Sequence, residues 1–135
     1  MTAQSDDPGQ AVLDFVIFPP RWLVAENTFR PPYYHRNTMS EFMGNICGTY
    51  DAKEKGFIPG ASSLHSCMSG HGPEAEVFNK ASNMDLQPMK IGVGSLAFMF
   101  ETCYMMKLTP HAVSNYVDKD YQQCWRTLPR LFKKE

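Results

Sequence analysis

The chain has 135 residues, 43% apolar and 20% charged, which suits one domain with a real core and is too short for two. Its net charge of −1 supplies no global field to gather nucleic acid or an anionic membrane. The polar start Met1–Asp7 lacks the basic and apolar regions of a signal peptide, and apolar runs such as Leu96–Phe100 are far too short to span a bilayer.

Residues 1–10 read as a polar lead-in. Val12–Phe18, rich in Val, Ile and Phe, reads as a strand that Pro19-Pro20 ends, because proline cannot donate to a ladder. Trp22–Val24 suits a short strand. Pro31-Pro32 breaks the chain again and pushes the approach to Tyr33 and His35 into extended geometry. Glu41–Tyr50 carries Phe42, Ile46 and Tyr50 at helical spacing, but Gly44 and Gly48 weaken a helix; the expectation is a strand with bulges at the glycines.

Asp51–Ser63 is a long loop containing Gly56, Pro59 and Gly60, a length often functional in a compact domain. Gly72-Pro73-Glu74 opens a helix running to about Ala81, since proline and acids suit a first turn. That would set His71 at a helix N-terminus, where the dipole disfavours imidazolium. Pro88–Ile91 reads as a connection and Ser95–Met105 as a strand with Leu96, Phe98 and Phe100 on one face. Asp118–Leu128 reads as the last helix, its stripe of Tyr121, Cys124, Trp125 and Leu128 expected as core packing. Short strands, many turns and little helix make a mainly β protein: an antiparallel β-barrel or jelly roll, cupin-like, with a few short helices. Cys47, Cys67, Cys103 and Cys124 are widely spaced with no Cys-x-x-Cys, which argues against structural zinc and a disulfide framework and for reduced thiols in the cytosol.

Three of the four histidines, His35, His65 and His71, lie within one stretch with Glu41 between them. Two imidazoles and one carboxylate on a common face hold Fe(II) and leave positions open for substrate and oxygen. His35 and Glu41 are six residues apart, which on a straight strand is ~20 Å and too far for one ion. The chain must therefore bend between them, and Asn37 is a suitable turn residue. Ser69-Gly70 offers the same bend between His65 and His71. By spacing alone the pattern is weak, and isolated histidines are more often surface or core residues than ligands.

The segments Pro31–Asn37, Met39–Gly44, Gly60–His65 and His71-Gly72-Pro73, together with Asp14–Trp22 and Ala97–Glu101, resemble homogentisate 1,2-dioxygenase. The likeness runs over nearly the whole chain and is densest over residues 14–82. It implies a cupin-type fold with Fe(II) as cofactor, held by His35, Glu41 and His71. It puts Tyr50, His65 and His71 on the substrate side of the same pocket. The implied reaction is oxidative ring cleavage of homogentisate by O2 to maleylacetoacetate, in tyrosine and phenylalanine catabolism, by a cytoplasmic homo-oligomer, a hexamer built from trimers. Family members are much longer and carry a proposed general-base histidine upstream, without counterpart here. The chain therefore resembles their C-terminal catalytic segment, 1–135 as a single domain, and by itself is expected to turn over little substrate. No role falls on His111, expected in a solvated loop. The ligand set alone would equally serve a cupin enzyme using Zn or Mn, and a non-catalytic segment that binds full-length subunits is a third possibility.

Overall fold

Among the described residues there are seven strands, the longest of them, such as Ala11–Phe18 and Leu96–Thr102, on the apolar and aromatic runs of the sequence. The computed structural model describes residues 1–23, 33–53, 55–131 and 133; Val24 and Pro31-Pro32 lie outside these. The strands are β1 Thr2–Gln4, β2 Ala11–Phe18, β3 Arg21–Leu23, β4 Ser40–Cys47, β5 Ser62–His65, β6 Met89–Ile91 and β7 Leu96–Thr102. The helices are α1 Ala75–Asn83 and α2 Pro110–Asn115, followed by a 3-10 turn at Tyr121–Trp125. Among the described residues no helix is long and apolar enough to cross a membrane.

The architecture is mainly β and antiparallel. Five strands pair in the order β1-β2-β7-β4-β5, and β3 pairs with β6 in a separate ribbon. The expected barrel or jelly roll is not closed by the described strands: β1 and β5 are the two edges of an open sheet. The lead-in is not featureless, because Thr2–Gln4 pairs with β2. The connection at Pro88–Ile91 holds strand β6, which finds its partner in β3, far off in sequence.

Directly opposed residues of an antiparallel pair share a face. On one face, Phe18, Ala97 and Met43 build the core with Phe57, Tyr50, Ala61 and Met99. Phe15, Phe42, Phe98 and Phe100 cluster on the other, with Phe15 and Phe100 centroids 4.8 Å apart. Gly44 belongs to that aromatic face. It pairs in register with Phe98 and Ser62, without a bulge. Its lack of a side chain makes room for the Phe98 ring, which a Cβ would approach to 2.5 Å. The irregularity of β4 lies between Asn45 and Cys47, and the strand ends there, short of Tyr50. Gly48, in left-handed backbone at φ +67, turns the chain against Gly94.

The long loop after β4 is tied from below by Asn45, whose amide donates to the carbonyls of Gly48 and Phe57. Helix α1 begins at Ala75 with Glu74 as its cap. Two C-terminal expectations change. α2, not foreseen, starts on Thr109, whose hydroxyl accepts from the Ala112 N–H, with Pro110 at the first position. His111 is exposed on this helix, not in a loop. The foreseen helix over Asp118–Leu128 is only the 3-10 turn, and all four cysteines are free thiols.

Candidate metal centre

The site sits at one end of the core face, where a single cross-strand row brings Asp14, Glu101, Glu41 and His65 side by side on β2, β7, β4 and β5. β4 buries Glu41 to 8% exposure. Opposite it, His35 and His71 form an isolated antiparallel bridge, exchanging N–H···O bonds of 2.8 and 3.0 Å. One ligand atom each from His35, Glu41 and His71 lies within 4.8 Å of the others.

The turns anticipated between these residues exist, with different mechanics. Asn37 caps its own turn by accepting the Met39 N–H, and its carbonyl accepts the Met68 N–H at 2.7 Å. The second turn spans Ser66–Ser69, with Met68 in left-handed backbone at φ 63. Gly70 gives the Tyr34 ring room, since a Cβ would come within 2.7 Å of it. The hydroxyl of the fully buried Ser40 accepts the Cys67 N–H, fastening this turn to the start of β4.

The chemistry of the donors follows from their partners. The Nδ1 of His35 meets the Tyr33 carbonyl, and the Nδ1 of His71 meets the Ser69 carbonyl at 3.0 Å. A carbonyl only accepts, so each Nδ1 carries a proton, which leaves Nε2 as the nitrogen each imidazole would offer to a metal. The Nε2 of His71 is buried and lies 3.1 Å from Glu41 Oε1, yet makes no aligned hydrogen bond. A buried nitrogen with a carboxylate beside it and no bonded partner fits a cation between the two. Two imidazoles and a carboxylate also match the donor set of a ferrous centre with open positions.

Electrostatics depart from one expectation. α1 starts four positions beyond His71, and the Glu41 carboxylate, opposed by burial, holds the His71 pKa above its ordinary value. The dipole argument fails because a full charge at 3.1 Å outweighs a half-charge one helical turn away. Burial pushes the Glu41 pKa up, but His71 and Asn37 together outweigh it and the net shift is downward. The Asn37 amide donates to Glu41 Oε1 at 2.9 Å and to Glu101 Oε1 at 3.0 Å, standing between two carboxylates. Burial, then Glu41 and Asp14, raise the Glu101 pKa.

His65 joins the cluster. Its ring stacks on His71 at 4.5 Å and 7°, and its Nε2 is 3.0 Å from the Tyr121 hydroxyl. Burial, reinforced by His71, lowers its pKa to about 4, so it is neutral at physiological pH. Tyr50 is set apart. It packs between Phe18 and Phe57 and lines a cavity of about 480 Å³ with Leu23, Val77 and Met89, whose walls include none of the triad. Burial, then Asp51, raises its phenol pKa, so it stays a donor.

Sequence reasoning missed four contributors. Asn37 was seen only as a turn residue, and Glu101 only as part of a strand. The stripe of the last segment was read as core packing, whereas Tyr121 reaches His65 and the Trp125 indole donates to the Gly72 carbonyl at 2.9 Å. Alternation along Ala97, Met99 and Glu101 placed Glu101 on the core face and was the available signal.

The family profile described as homogentisate 1,2-dioxygenase C-terminal matches residues 1–132. The chain belongs to this family. Among curated proteins it is similar to the homogentisate 1,2-dioxygenase of Dictyostelium discoideum, 55% identical over 128 residues, 95% of this chain and 30% of that protein. That of Rhizobium etli is 58% identical over 133 residues, 98% of this chain and 29% of that protein. That of Rhodopseudomonas palustris is 56% identical over 133 residues, 98% and 30% respectively. The chain thus spans about 30% of the length of these relatives.

Proposed function

We propose that this chain is the iron-binding catalytic segment of a homogentisate 1,2-dioxygenase. His35, Glu41 and His71 hold Fe(II), and the activity is oxidative ring cleavage of homogentisate to maleylacetoacetate with O2, within tyrosine and phenylalanine catabolism. The observation that carries this reading is the buried Nε2 of His71, unbonded and 3.1 Å from the Glu41 carboxylate, in a triad whose imidazoles each present Nε2. The names of the relatives support the substrate and the reaction class.

Bound ferrous iron supplies the one-electron chemistry that spin-forbidden dioxygen requires, at positions that two imidazoles and one carboxylate leave open. The chain's own groups orient and exclude. The Tyr33 and Ser69 carbonyls fix the histidine tautomers, and Asn37 fixes the rotamer of Glu41. His65, neutral and parallel to His71, walls the substrate side and offers a hydrogen bond to a ring oxygen. Tyr50, a permanent donor, serves the substrate, although the cavity it lines has none of the triad in its walls. Tyr34, Tyr121 and Trp125 pack against one another beside His65, while the His35 ring stays open to solvent. The working form is a cytoplasmic homo-oligomer, a hexamer built from trimers.

The test is anaerobic loading with Fe(II), addition of homogentisate, and measurement of oxygen uptake and ring-cleaved product. Product formation that Glu41→Ala abolishes is expected in a protein carrying this segment in its family context. Tight uptake of Zn(II) or Mn(II) with no oxygen consumption under any loading would refute the dioxygenase reading.

A further inference from the structure

A pairing of two residues is a weak way to hold two ligands. His35 and His71 exchange two backbone hydrogen bonds as an isolated bridge, with no continuous ladder around it among the described residues. On one side the Met68 N–H to Asn37 carbonyl bond joins the two ligand segments; on the other, fraying of the bridge would let the imidazoles drift apart. Beside the bridge, Tyr34, just before His35, lies against Gly72, just after His71. The two backbones approach so closely there that a Cβ at Gly72 would stand 2.9 Å from the Tyr34 Cα.

Both of these residues touch Trp125. Its indole N–H donates to the Gly72 carbonyl at 2.9 Å, and its ring meets the Tyr34 ring edge-on, centroids 5.5 Å apart at 70°. The indole is itself held. It packs edge-on against Tyr121 at 5.2 Å, and Tyr121 is anchored by the His65 contact and by the Lys53 ammonium over its ring at 5.4 Å. The 3-10 turn thus arrives from the far end of the chain and touches both segments of the ligand bridge, at Tyr34 and at Gly72.

We propose that Trp125 is a positioning residue of the metal centre: by holding Tyr34 against Gly72 it keeps the His35–His71 bridge in register, and with it the two imidazole nitrogens at metal-binding spacing. The inference rests on reading the triad as a metal site. Trp125 offers no ligand atom; it acts on the Gly72 carbonyl and the Tyr34 ring beside the two ligands, with its own ring 6.1 Å from that of His65. A tryptophan that merely filled the core would stabilise the fold without sensing what the triad binds. A tryptophan that clamps the bridge must be coupled to the ion, because binding and clamping favour the same backbone pairing.

The experiment uses the metal-free chain with Zn(II) and Co(II) as probes. Its two tryptophans give two indole N–H signals, and Trp22, 62% exposed, is the internal reference. Zn(II) should slow exchange of the Trp125 indole proton on the order of tenfold while leaving Trp22 unchanged. Trp125→Phe keeps a ring against Tyr34 but removes the donor; it should weaken Co(II) binding on the order of tenfold and shift the visible ligand-field bands. A Trp125 signal indifferent to bound Zn(II) overturns the proposal, whether or not the variant folds. So does Co(II) affinity in folded Trp125→Phe within twofold of the parent chain. If the parent chain takes up neither ion, the metal-centre reading itself fails and the clamp falls with it.

Discussion

Asn37→Ala removes the amide that stands between Glu41 and Glu101, and its effect can be worked from the geometry. Two charge-assisted hydrogen bonds are lost, 2.9 Å to a buried carboxylate and 3.0 Å to a half-buried one. The bond to buried Glu41 is worth about 1.5–3 kcal/mol. The bond to Glu101, open to solvent screening, is worth about 0.5 kcal/mol. The metal-free variant should therefore lose about 2–3.5 kcal/mol, roughly 8–12 °C in Tm for a chain of this size. Urea unfolding with an unchanged slope measures it. The loss should be largest near neutral pH. Glu41 has a folded-state pKa below its unfolded value, so its stabilisation is present above the usual carboxylate range and disappears as pH falls through the lowered value. The gap between variant and parent should close in acid. Glu101 runs the other way, since its pKa is raised and its charge opposes folding at neutral pH. Glu101→Gln should therefore stabilise by about 0.5 kcal/mol at pH 7, the scale of one like-charge cross-strand pair, and give nothing below pH ~4. In the double variant the two effects should couple by at least ~0.5 kcal/mol, because Asn37 contacts both carboxylates. Asn37→Ala within ~0.5 kcal/mol of the parent, or strictly additive effects, would refute the bridging role.

Glu41→Ala should abolish Co(II) binding by the triad, while Tyr50→Phe leaves it unchanged and raises KM for homogentisate; loss of metal in both variants would collapse the division between ligand and substrate residues. Gly44→Ala drives a methyl into the Phe98 ring and should destabilise by about 1–3 kcal/mol, read by thermal unfolding; a neutral effect would mean the ring moves aside freely. His65→Phe keeps the stack on His71 but breaks the Tyr121 contact that steadies Trp125, so Co(II) binding should weaken by no more than the roughly tenfold expected of Trp125→Phe, and its abolition would make His65 a ligand.

Local chemistry alone determined much of this protein. The β-branched and aromatic run before Pro19 had to be a strand, alternation placed Phe98 and Phe100 opposite Glu101, and Pro73 and Glu74 marked where α1 begins. Each depends on neighbours a few positions away. The N-cap of α2 was equally legible in Thr109-Pro110 and was overlooked. Tertiary structure decided the rest, because the deciding contacts join residues far apart in sequence. β6 is a strand only because β3 supplies its ladder, and Gly44 is a glycine because Phe98 needs its space, not because the strand bulges. The site shows the same division. Its residue types could be listed from the sequence, but no local rule brings His35 against His71 or suspends Asn37 between carboxylates on two strands. Nor does the helical spacing of Tyr121 and Trp125 reveal that they press on the histidines and not on the core. Periodicity shows which face of a segment is apolar; what that face meets is set by the path of the whole chain.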